Sequence, residues 1–474
     1  MLELKDVFKG LKNKKIALYG LGTETQKVIK LFDEEFEIIG LIDGFKVDGY
    51  LYNKPIIDIK QCSNGGADVI LAVARPGSCK AIAKRIGDFC RENEIELIDI
   101  RGKNLLDDTK CYLNYKSMTD LLQTFVYNHD CAFSTLKIKI FKRRLEQIQK
   151  EQKQENDSVV NIFDAYDIGY MFCAPIITDF VIWFHKQVRE RNLSNVWFCA
   201  RDGYLLKELY DIINENQDSQ YFLTSRMAAI RSCVENKEDI LYVDSMKFSG
   251  TLEENLQERF GIDAAFCNID EGEEGILCFK TAILDKAKQV KKGYTKYVDS
   301  LNVQAGDIAF FDFVAKGTSQ YFISRLVNNH IVGLYFLQLE PNFMQDKNLD
   351  IIPFYTNDEL DHSAIFDNYY ILETFLTSPD PSIVEFDISG NGIYTEESRT
   401  QEAILCGERV QQGIKDYFEE YVKQCDDLEH SIDKELDEEF LKLIHNVEIK
   451  DNEFLNLIIE DPFFNRMTNI TDVL

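Results

Sequence analysis

Charged and hydroxyl side chains follow two short apolar segments in the second half of the chain. Arg201 and Asp202 come after the first segment, and Ser225 and Arg226 come after the second. Arginine and serine donate hydrogen bonds to phosphate oxygens, whereas an aspartate can exchange a proton or bind Mg²⁺. These residue types predict a site for a phosphate-containing ligand, with Arg201 and Asp202 as catalytic candidates.

A third turn has the same character and contains Asp312, Lys316, Gly317, Thr318 and Ser319. A glycine beside hydroxyls at the start of a helix can surround a phosphate with N–H and O–H donors, and Lys316 adds a positive charge. Asp312 is a further catalytic candidate, and Asp202 and Asp312 together are candidate ligands of Mg²⁺. The alternative is structural, since Thr318 or Ser319 could simply cap a helix.

The three turns each follow a predicted strand, at 195–199, 220–223 and 307–312, and a further strand is predicted at 330–337. Helical segments separate these strands, which is typical of parallel strands joined by crossover helices. The carboxyl ends of neighbouring parallel strands lie at one edge of the sheet, where open α/β sheets bind ligands. We therefore expect the charged and hydroxyl side chains named above to border one cleft.

A separate glycine turn, Gly20-Leu21-Gly22, lies near the start of the chain, between a predicted strand and a predicted helix at 23–32. Thr25 stands where a dinucleotide fingerprint has its third glycine, which disfavours NAD. Asp43 ends the next predicted strand, from which a carboxylate could accept hydrogen bonds from a ribose. These residues predict a nucleotide or nucleotide-sugar site; a Rossmann-like scaffold without a ligand is the alternative.

Strand and helix alternate twice along the chain, which predicts an α/β protein with two Rossmann-like, doubly wound parallel sheets. The predicted parts are a first domain at 1–105, a helical connector at 106–160, a second α/β domain at 161–400 with a helical insertion at about 235–300, and an acidic helical tail at 401–474. The basic stretch of the connector predicts a solvated helix face.

The chain has 474 residues, with 53 Lys and Arg against 81 Asp and Glu, so its net charge is −28. This charge disfavours nucleic acids and anionic membrane surfaces as partners. Neither a long apolar run nor an apolar N-terminal signal is evident, so we expect a cytoplasmic protein without membrane insertion. The 12 cysteines are scattered singly and predict buried thiols, and no histidine pair suggests a metal site.

The N-terminal segment resembles the small Rossmann domain that precedes the left-handed β-helix of bacterial sugar O-acyltransferases. The similarity rests on Ile16–Gly22, Gly40–Asp43 and Asn53–Ile56 and covers about a fifth of the chain. In that family the domain can hold a nucleotide sugar, so the resemblance implies the same class of ligand at Gly20, Gly22 and Asp43.

The second α/β domain resembles bacterial proteins of the haloacid dehalogenase superfamily, predicted hydrolases that are associated with surface-polysaccharide gene clusters. The matching stretches are Phe198–Leu206, Tyr221–Arg226, Asp312–Gln320, Gly333–Tyr335 and Ile371–Thr374.

The family's phosphatases need Asp-x-Asp-Gly, in which the first aspartate is the nucleophile and the second the acid or base. Here the tetrapeptide is Ala200-Arg201-Asp202-Gly203. Asp202 can take the second role, but Ala200 cannot form an aspartyl phosphate. The third turn is also similar to the phosphate loop of phosphoribosyltransferases, although that loop carries two adjacent acids and only Asp312 is present here.

Together these features predict an enzyme that acts on a phosphorylated or nucleotide-linked sugar in bacterial surface-polysaccharide biosynthesis, by phosphoryl or glycosyl chemistry. Mg²⁺ is the expected metal, and a nucleotide or nucleotide sugar rather than NAD is the expected ligand. One alternative is a non-catalytic module that binds a nucleotide sugar and recruits a glycosyltransferase or another polysaccharide-assembly enzyme. A second alternative is a haloacid dehalogenase-like phosphohydrolase.

Overall fold

The computed structural model describes residues 10–32, 36–74, 76–100, 102–106, 118–129, 131–152, 160–214, 219–356, 369, 372–461 and 466–472. The chain forms two compact units, Met1–Lys116 with Thr471–Leu474 and Ser117–Ile470. Parts of the predicted connector (107–117 and 153–159) and Ile371 lie outside the described residues.

The first unit is an α/β sandwich around a parallel sheet. Its elements are β1 (Lys15–Tyr19), α1 (Thr23–Phe32), β2 (Glu37–Ile42), β3 (Tyr50–Leu51), β4 (Lys54–Pro55), β5 (Val69–Ala72), α2 (Pro76–Glu92) and β6 (Glu96–Asp99). The order β2-β1-β5-β6 makes a sheet in which every pair is parallel. Ile16 and Leu18 of β1 belong to one buried cluster and Ala17 and Tyr19 to another, so the sheet is covered on both faces.

The second unit is built on a five-stranded sheet. The strands of the whole second unit are β7 (Val160–Ile162), β8 (Asn195–Cys199), β9 (Ser219–Phe222), β10 (Ile308–Ala315), β11 (Ile331–Gln338), β12 (Asp350–Tyr355), β13 (Ile383–Phe386), β14 (Gly392–Tyr394), β15 (Val447–Ile449), β16 (Ile458–Asp461) and β17 (Arg466–Asn469). Five of them form the central sheet. The order β12-β11-β10-β8-β9 is parallel throughout. The strand order therefore reverses between β8 and β10. The predicted α/β class with two parallel sheets is confirmed.

Helices of the second unit surround this sheet. They are α3 (Met118–Asn128), α4 (Ala132–Gln152), α5 (Ala165–Ile168), α6 (Ala174–Glu190), α7 (Gly203–Ile213), α8 (Arg226–Cys233), α9 (Lys237–Ser245), α10 (Leu252–Asn255), α11 (Lys280–Ser300), α12 (Thr318–Ile323), α13 (Pro341–Asp346), α14 (Gln401–Gln424), α15 (Lys434–Lys442) and α16 (Asn452–Leu455). The segment between β9 and β10 holds α8 to α11, and α9 to α11 lie within the insertion predicted at about 235–300.

The helical stretch Ala165–Glu190 is long and apolar enough to cross a membrane, with a mean hydropathy of 1.4. However, 89% of its most apolar window is buried inside the protein. The ring of Phe180 lies 5.7 Å from that of Phe311 and 5.3 Å from that of Phe336, both on the central sheet. The sequence predicted no such segment, and burial rather than polarity distinguishes this core helix from a membrane span.

The basic stretch of α4 has the solvated face that the sequence predicted, on which Lys139, Lys142 and Arg143 are exposed, but the other face of the helix is packed into the second unit. Lys137 is fully buried, and its Nζ donates to Asp179 Oδ2 at 2.5 Å and to Asp437 Oδ1 at 2.8 Å. Burial lowers the pKa of Lys137, but the two carboxylates outweigh it and hold that pKa above its usual value. Burial and the adjacent Asp179 raise the pKa of Asp437. Lys137, Asp179 and Asp437 thus form a buried triad in which one lysine pairs with two carboxyl groups.

The acidic tail is only partly helical. Helices α14 and α15 fit the prediction, but β15 pairs with β7 in parallel, and β16 pairs with β17 in an antiparallel hairpin. The tail is also not separate, since its residues up to Ile470 belong to the second unit.

Candidate functional site

A cavity of about 470 Å³ opens at the carboxyl ends of β8, β9 and β10. This volume is within the range of small-molecule sites. The structure brings eight of the sequence-predicted residues together around it, namely Arg201, Asp202, Ser225, Arg226, Asp312, Lys316, Thr318 and Ser319. The cavity thus lies where the strand order reverses, the usual ligand position in open α/β sheets.

Asp312 lies within β10 and not in the turn after it, because the strand continues to Ala315. Pairing of β10 with β8 ends at Phe311 and Phe198, so Asp312 stands beside the end of β8. Burial raises the pKa of Asp312 to about 7, with a further rise from Asp202 and an opposing effect of Arg226. At neutral pH this carboxyl can therefore either give or take a proton.

Arg201 differs from the prediction, since its guanidinium already has a protein partner. Its Nη1 donates to Ser382 Oγ at 2.8 Å, and its backbone N–H donates to the Tyr221 hydroxyl at 2.8 Å. Its φ of 73° lies in the left-handed region, which is uncommon for a residue with a side chain. Since Ser378 N–H also donates to the Arg201 carbonyl, Arg201 positions the 378–382 segment beside the cavity.

Ser225 has a structural task that the sequence could not exclude. Its Oγ accepts from Ala228 N–H at 2.9 Å, which caps α8, and donates to the Ile383 carbonyl at 2.6 Å. Both bonds use the hydroxyl that was predicted to bind phosphate. Ser225 therefore sets where α8 begins, and with it the position of Arg226.

Hydroxyls and a glycine also shape the third turn. The Thr318 hydroxyl lies 2.9 Å from that of Tyr242. Gly317 has a φ of 99°, and a Cβ there would lie 2.8 Å from Leu349 Cδ1. Gly317 is thus needed for the conformation of the turn.

The two predicted phosphate-binding cations have different surroundings. Arg226 lies close enough to Asp312 to lower the pKa of that carboxyl. Lys316 forms an ion pair with Glu340, and both side chains are more than a third exposed. Arg226 is consequently the cation best placed for a ligand that reaches Asp312.

Ala200 and Cys199 decide whether β8 supplies a nucleophile. Ala200 lines the cavity without a reactive group. Burial, with Asp312 and Asp202 nearby, raises the pKa of Cys199 well above its usual value, so its thiol stays protonated. Neither residue can attack a phosphate, so Cys199 and Ala200 supply no nucleophile at the end of β8.

Asp202 and Asp312, the two carboxylates predicted to bind Mg²⁺, both line the cavity. Among the described residues, no group of three or more His, Cys, Asp or Glu side chains could hold a metal ion. Mg²⁺ often binds one or two carboxylates and completes its coordination with water and substrate phosphate. The repulsion that raises the pKa of Asp312 would be relieved by a cation between the two carboxylates.

Segments that sequence reasoning missed form the rest of the cavity. They are 375–382, 395–399, one face of α14 from Ala403 to Gln411, and Leu457–Ile459, whereas Glu373 and Thr374, which also line the cavity, belong to the stretch Ile371–Thr374 named above. Gln411 Nε2 donates to the carbonyls of Phe375 and Thr377, which joins α14 to the first of these segments. These residues carry no recognisable spacing, and only long-range packing brings them to the strand ends.

The first unit places Gly20, Gly22 and Asp43 near the carboxyl ends of β1 and β2. Gly20 has a φ of 133°, and a Cβ there would lie 2.9 Å from the Val73 carbonyl oxygen. The Thr25 hydroxyl donates to the Gly20 carbonyl at 3.0 Å.

Asp43 Oδ1 accepts from the N–H groups of Phe45 and Lys46, at 2.9 and 3.0 Å. The hydrogen bond from Phe45, ahead of that from Lys46, lowers the pKa of Asp43. Local turn structure thus accounts for Gly20 and for one oxygen of Asp43, while nucleotide binding stays a prediction.

Comparison of the chain with models of known protein families gave no match, and comparison with curated proteins gave none either. The chemistry of the site therefore follows from its own residues.

Proposed function

We propose that the second unit is an enzyme domain that acts on a phosphorylated or nucleotide-linked sugar, by phosphoryl or glycosyl chemistry. One observation carries the proposal: Asp312, with a pKa of about 7, shares a cavity with Asp202 and Arg226 at the point where the strand order reverses. Strongly shifted carboxyl groups in clefts are enriched at catalytic sites. A phosphate-containing ligand is proposed because the cationic Arg226 lies in this cavity together with carboxyl and hydroxyl groups.

In this proposal each cavity residue has a different role in binding the ligand. Arg226 binds the phosphate, with Lys316 as a more exposed second cation, and Thr318 and Ser319 supply hydroxyl donors. Arg201 acts mainly through the loop that it holds at Ser382.

Asp312 takes a proton from the attacking hydroxyl, because at neutral pH about half of this group is ionised. Direct attack by water or by a ligand hydroxyl replaces an aspartyl-phosphate step, since Ala200 offers no nucleophile. While Asp312 acts as the base, Mg²⁺ held by Asp202 would neutralise charge on the phosphate.

We place this activity in the cytoplasm and in surface-polysaccharide assembly, on the resemblance described above. Ala200 also favours a second candidate, a non-catalytic module that binds a nucleotide sugar and recruits a glycosyltransferase. A haloacid dehalogenase-like phosphohydrolase is the least favoured candidate for the same reason. A colorimetric phosphatase assay with Mg²⁺ should accordingly show little turnover, and strong hydrolysis that is lost in Asp202→Asn would reverse this ranking.

The decisive experiment is a thermal-shift screen of the full chain against sugar phosphates and nucleotide sugars with Mg²⁺. A ligand at 100 times its dissociation constant adds about 2.7 kcal/mol of apparent stability. Each hit is then incubated with wild type and Asp312→Asn, and products are measured by mass spectrometry. An enzyme loses turnover in the variant but retains binding. A ligand that binds and is never converted indicates the recruiting module, and the absence of any hit contradicts both candidates.

A further inference from the structure

The cavity has an apolar wall that the proposed phosphate chemistry does not use. Its residues are Ala403, Ile404 and Gly407 of α14 together with Leu457, Ile458 and Ile459, and Glu408 and Gln411 of α14 line the cavity beside them. Ile458 is 50% exposed, although it lies beside a cavity that is rich in charged groups. An apolar surface within a polar site indicates what the rest of the ligand is made of, because polar ligand groups placed against it would lose hydrogen bonds to water.

The wall is aliphatic. Nucleobases are usually held by aromatic rings, and none of the six residues carries one. Phe375 lines the cavity too, but its side chain is 1% exposed and its ring packs on Phe454 at 5.4 Å. The wall is therefore suited to hydrocarbon and not to a stacked base.

Gly407 leaves space along this wall. It lies in the interior of α14, where glycine is unfavourable, and a Cβ built on it meets no atom within 4 Å. By contrast, a Cβ at Gly413 of the same helix would lie 2.1 Å from the Tyr166 carbonyl oxygen. Packing thus requires glycine at 413 but not at 407, and the room at 407 is available to a ligand.

We propose that the ligand is a phosphate ester that carries an aliphatic group, with its phosphate at Arg226 and Asp312 and its hydrocarbon along the wall. This inference rests on the proposed function, since it assigns the phosphate to the same site. A molecule in which one phosphate links a sugar to an aliphatic chain satisfies both the proposed function and this inference. The wall then selects among phosphorylated ligands by their apolar part.

Isothermal titration of the full chain with inorganic, methyl, butyl and hexyl phosphate tests this inference. Affinity should rise about two- to fourfold per added methylene, as expected for hydrocarbon burial. If inorganic phosphate and all esters fail to bind, the proposed function falls. If they bind with an affinity that does not depend on chain length, only the aliphatic ligand is excluded.

Two variants locate the hydrocarbon. Gly407→Phe fills the wall and should abolish the dependence of affinity on chain length, whereas Leu405→Phe, at an exposed position of α14 that does not line the cavity, should retain it. Ile458→Asp, at a half-exposed position, is a second variant that should also remove the dependence of affinity on chain length. A chain-length dependence that persists in both Gly407→Phe and Ile458→Asp would show that the hydrocarbon binds elsewhere and overturn the assignment.

Discussion

Asp43 in the first unit and Asp312 in the second occupy comparable places, each near the carboxyl end of a strand in a parallel sheet. Asp43 Oδ1 accepts two backbone N–H groups of its own turn, and its pKa is lowered. Asp312 accepts one N–H, from Phe313, and is half-buried in the cavity; its desolvation, followed by the charge of Asp202, raises its pKa to about 7. The turn stabilises the ionised form of Asp43, whereas the surroundings of Asp312 disfavour its ionised form.

The same contrast separates the two glycine-containing turns. At Gly20 the close approach of Val73 O explains the glycine without any ligand. Around Asp312, the strand ends are accompanied by a cavity of about 470 Å³ and by Arg226. Equal architecture therefore does not imply equal function, and the electrostatics of individual carboxyl groups distinguish the two units.

The largest expected effect is on turnover. Asp312→Asn should lower the turnover of a ligand found in the screen by about 10²- to 10⁴-fold, the usual contribution of a general acid or base. Asp43→Asn is the matched control and should leave turnover within about twofold. Mass spectrometry of the product measures both, and equal losses in the two variants would remove the distinction between the units.

Stability against pH should change in opposite directions at the two aspartates. The raised pKa of Asp312 means that its contribution is favourable below its unfolded pKa near 4 and is lost as pH rises through 7. Relative to wild type, the free energy of unfolding of Asp312→Asn should thus rise by about 3 kcal/mol as the pH increases from about 4 to about 8. The lowered pKa of Asp43 makes its contribution present above its unfolded pKa and lost as pH falls through its lower folded pKa.

Urea unfolding of wild type, Asp312→Asn and Asp43→Asn across this pH range measures both effects. A gain for Asp312→Asn that does not grow with pH would show that Asp312 ionises normally.

Phosphate affinity should depend more on Arg226 than on Lys316. Arg226→Ala should weaken binding by about 1.5–3 kcal/mol, the range of a charge-assisted hydrogen bond. Lys316→Ala should cost less than about 1 kcal/mol, because this exposed lysine already pairs with Glu340. Titration calorimetry measures both losses of affinity. A larger loss for Lys316→Ala would show that the phosphate binds near Lys316 and Glu340 and not at Arg226.

The glycine turn of the first unit should show a structural cost at one glycine only. Gly20→Ala should destabilise this unit by about 1–3 kcal/mol, since its φ is positive and the new Cβ meets a carbonyl oxygen. Gly22→Ala, where a Cβ has open space, should be nearly neutral. Thermal unfolding tests the pair, and equal stability of both variants would contradict the described turn.

The smallest effect concerns nucleotide binding by the first unit. Gly22→Asp places a negative charge beside the start of α1, where Asp is a favourable cap but repels a phosphate. Titration with nucleotides and nucleotide sugars should show binding to wild type and a loss of about 0.3–1 kcal/mol in the variant. Silence of the wild-type chain across the panel at millimolar ligand would leave the first unit as a scaffold.

The alternation of strands and helices was sufficient to predict that three strand ends meet. Crossover helices join parallel strands, so the polar residues after each strand converge by geometry. Local sequence could not predict how each side chain is used. Ser225 bonds the Ile383 carbonyl and Lys316 pairs with Glu340, and both partners are set by tertiary packing.

The apolar wall and the buried Lys137 were beyond prediction for the same reason. The sequence around Lys137 is basic and suggests solvent, but its two acidic partners lie 42 and 300 positions away. A pattern of period 3.6 or 2 reports only the neighbours within one element.

The hydrogen bond between Lys137 and Asp437 cannot form until Asp437 has been synthesised, long after Lys137. With about 5–20 residues added per second on a ribosome, the 300 residues between them take about 15–60 s. Throughout that interval α4 and α6 lack the carboxylate that completes their buried triad, whereas residues 1–116 have already emerged. We expect nascent residues 1–116 to acquire protease resistance before the second unit, which lacks its complete triad until Asp437 has left the exit tunnel; Thr471–Leu474 of the first unit emerge later still.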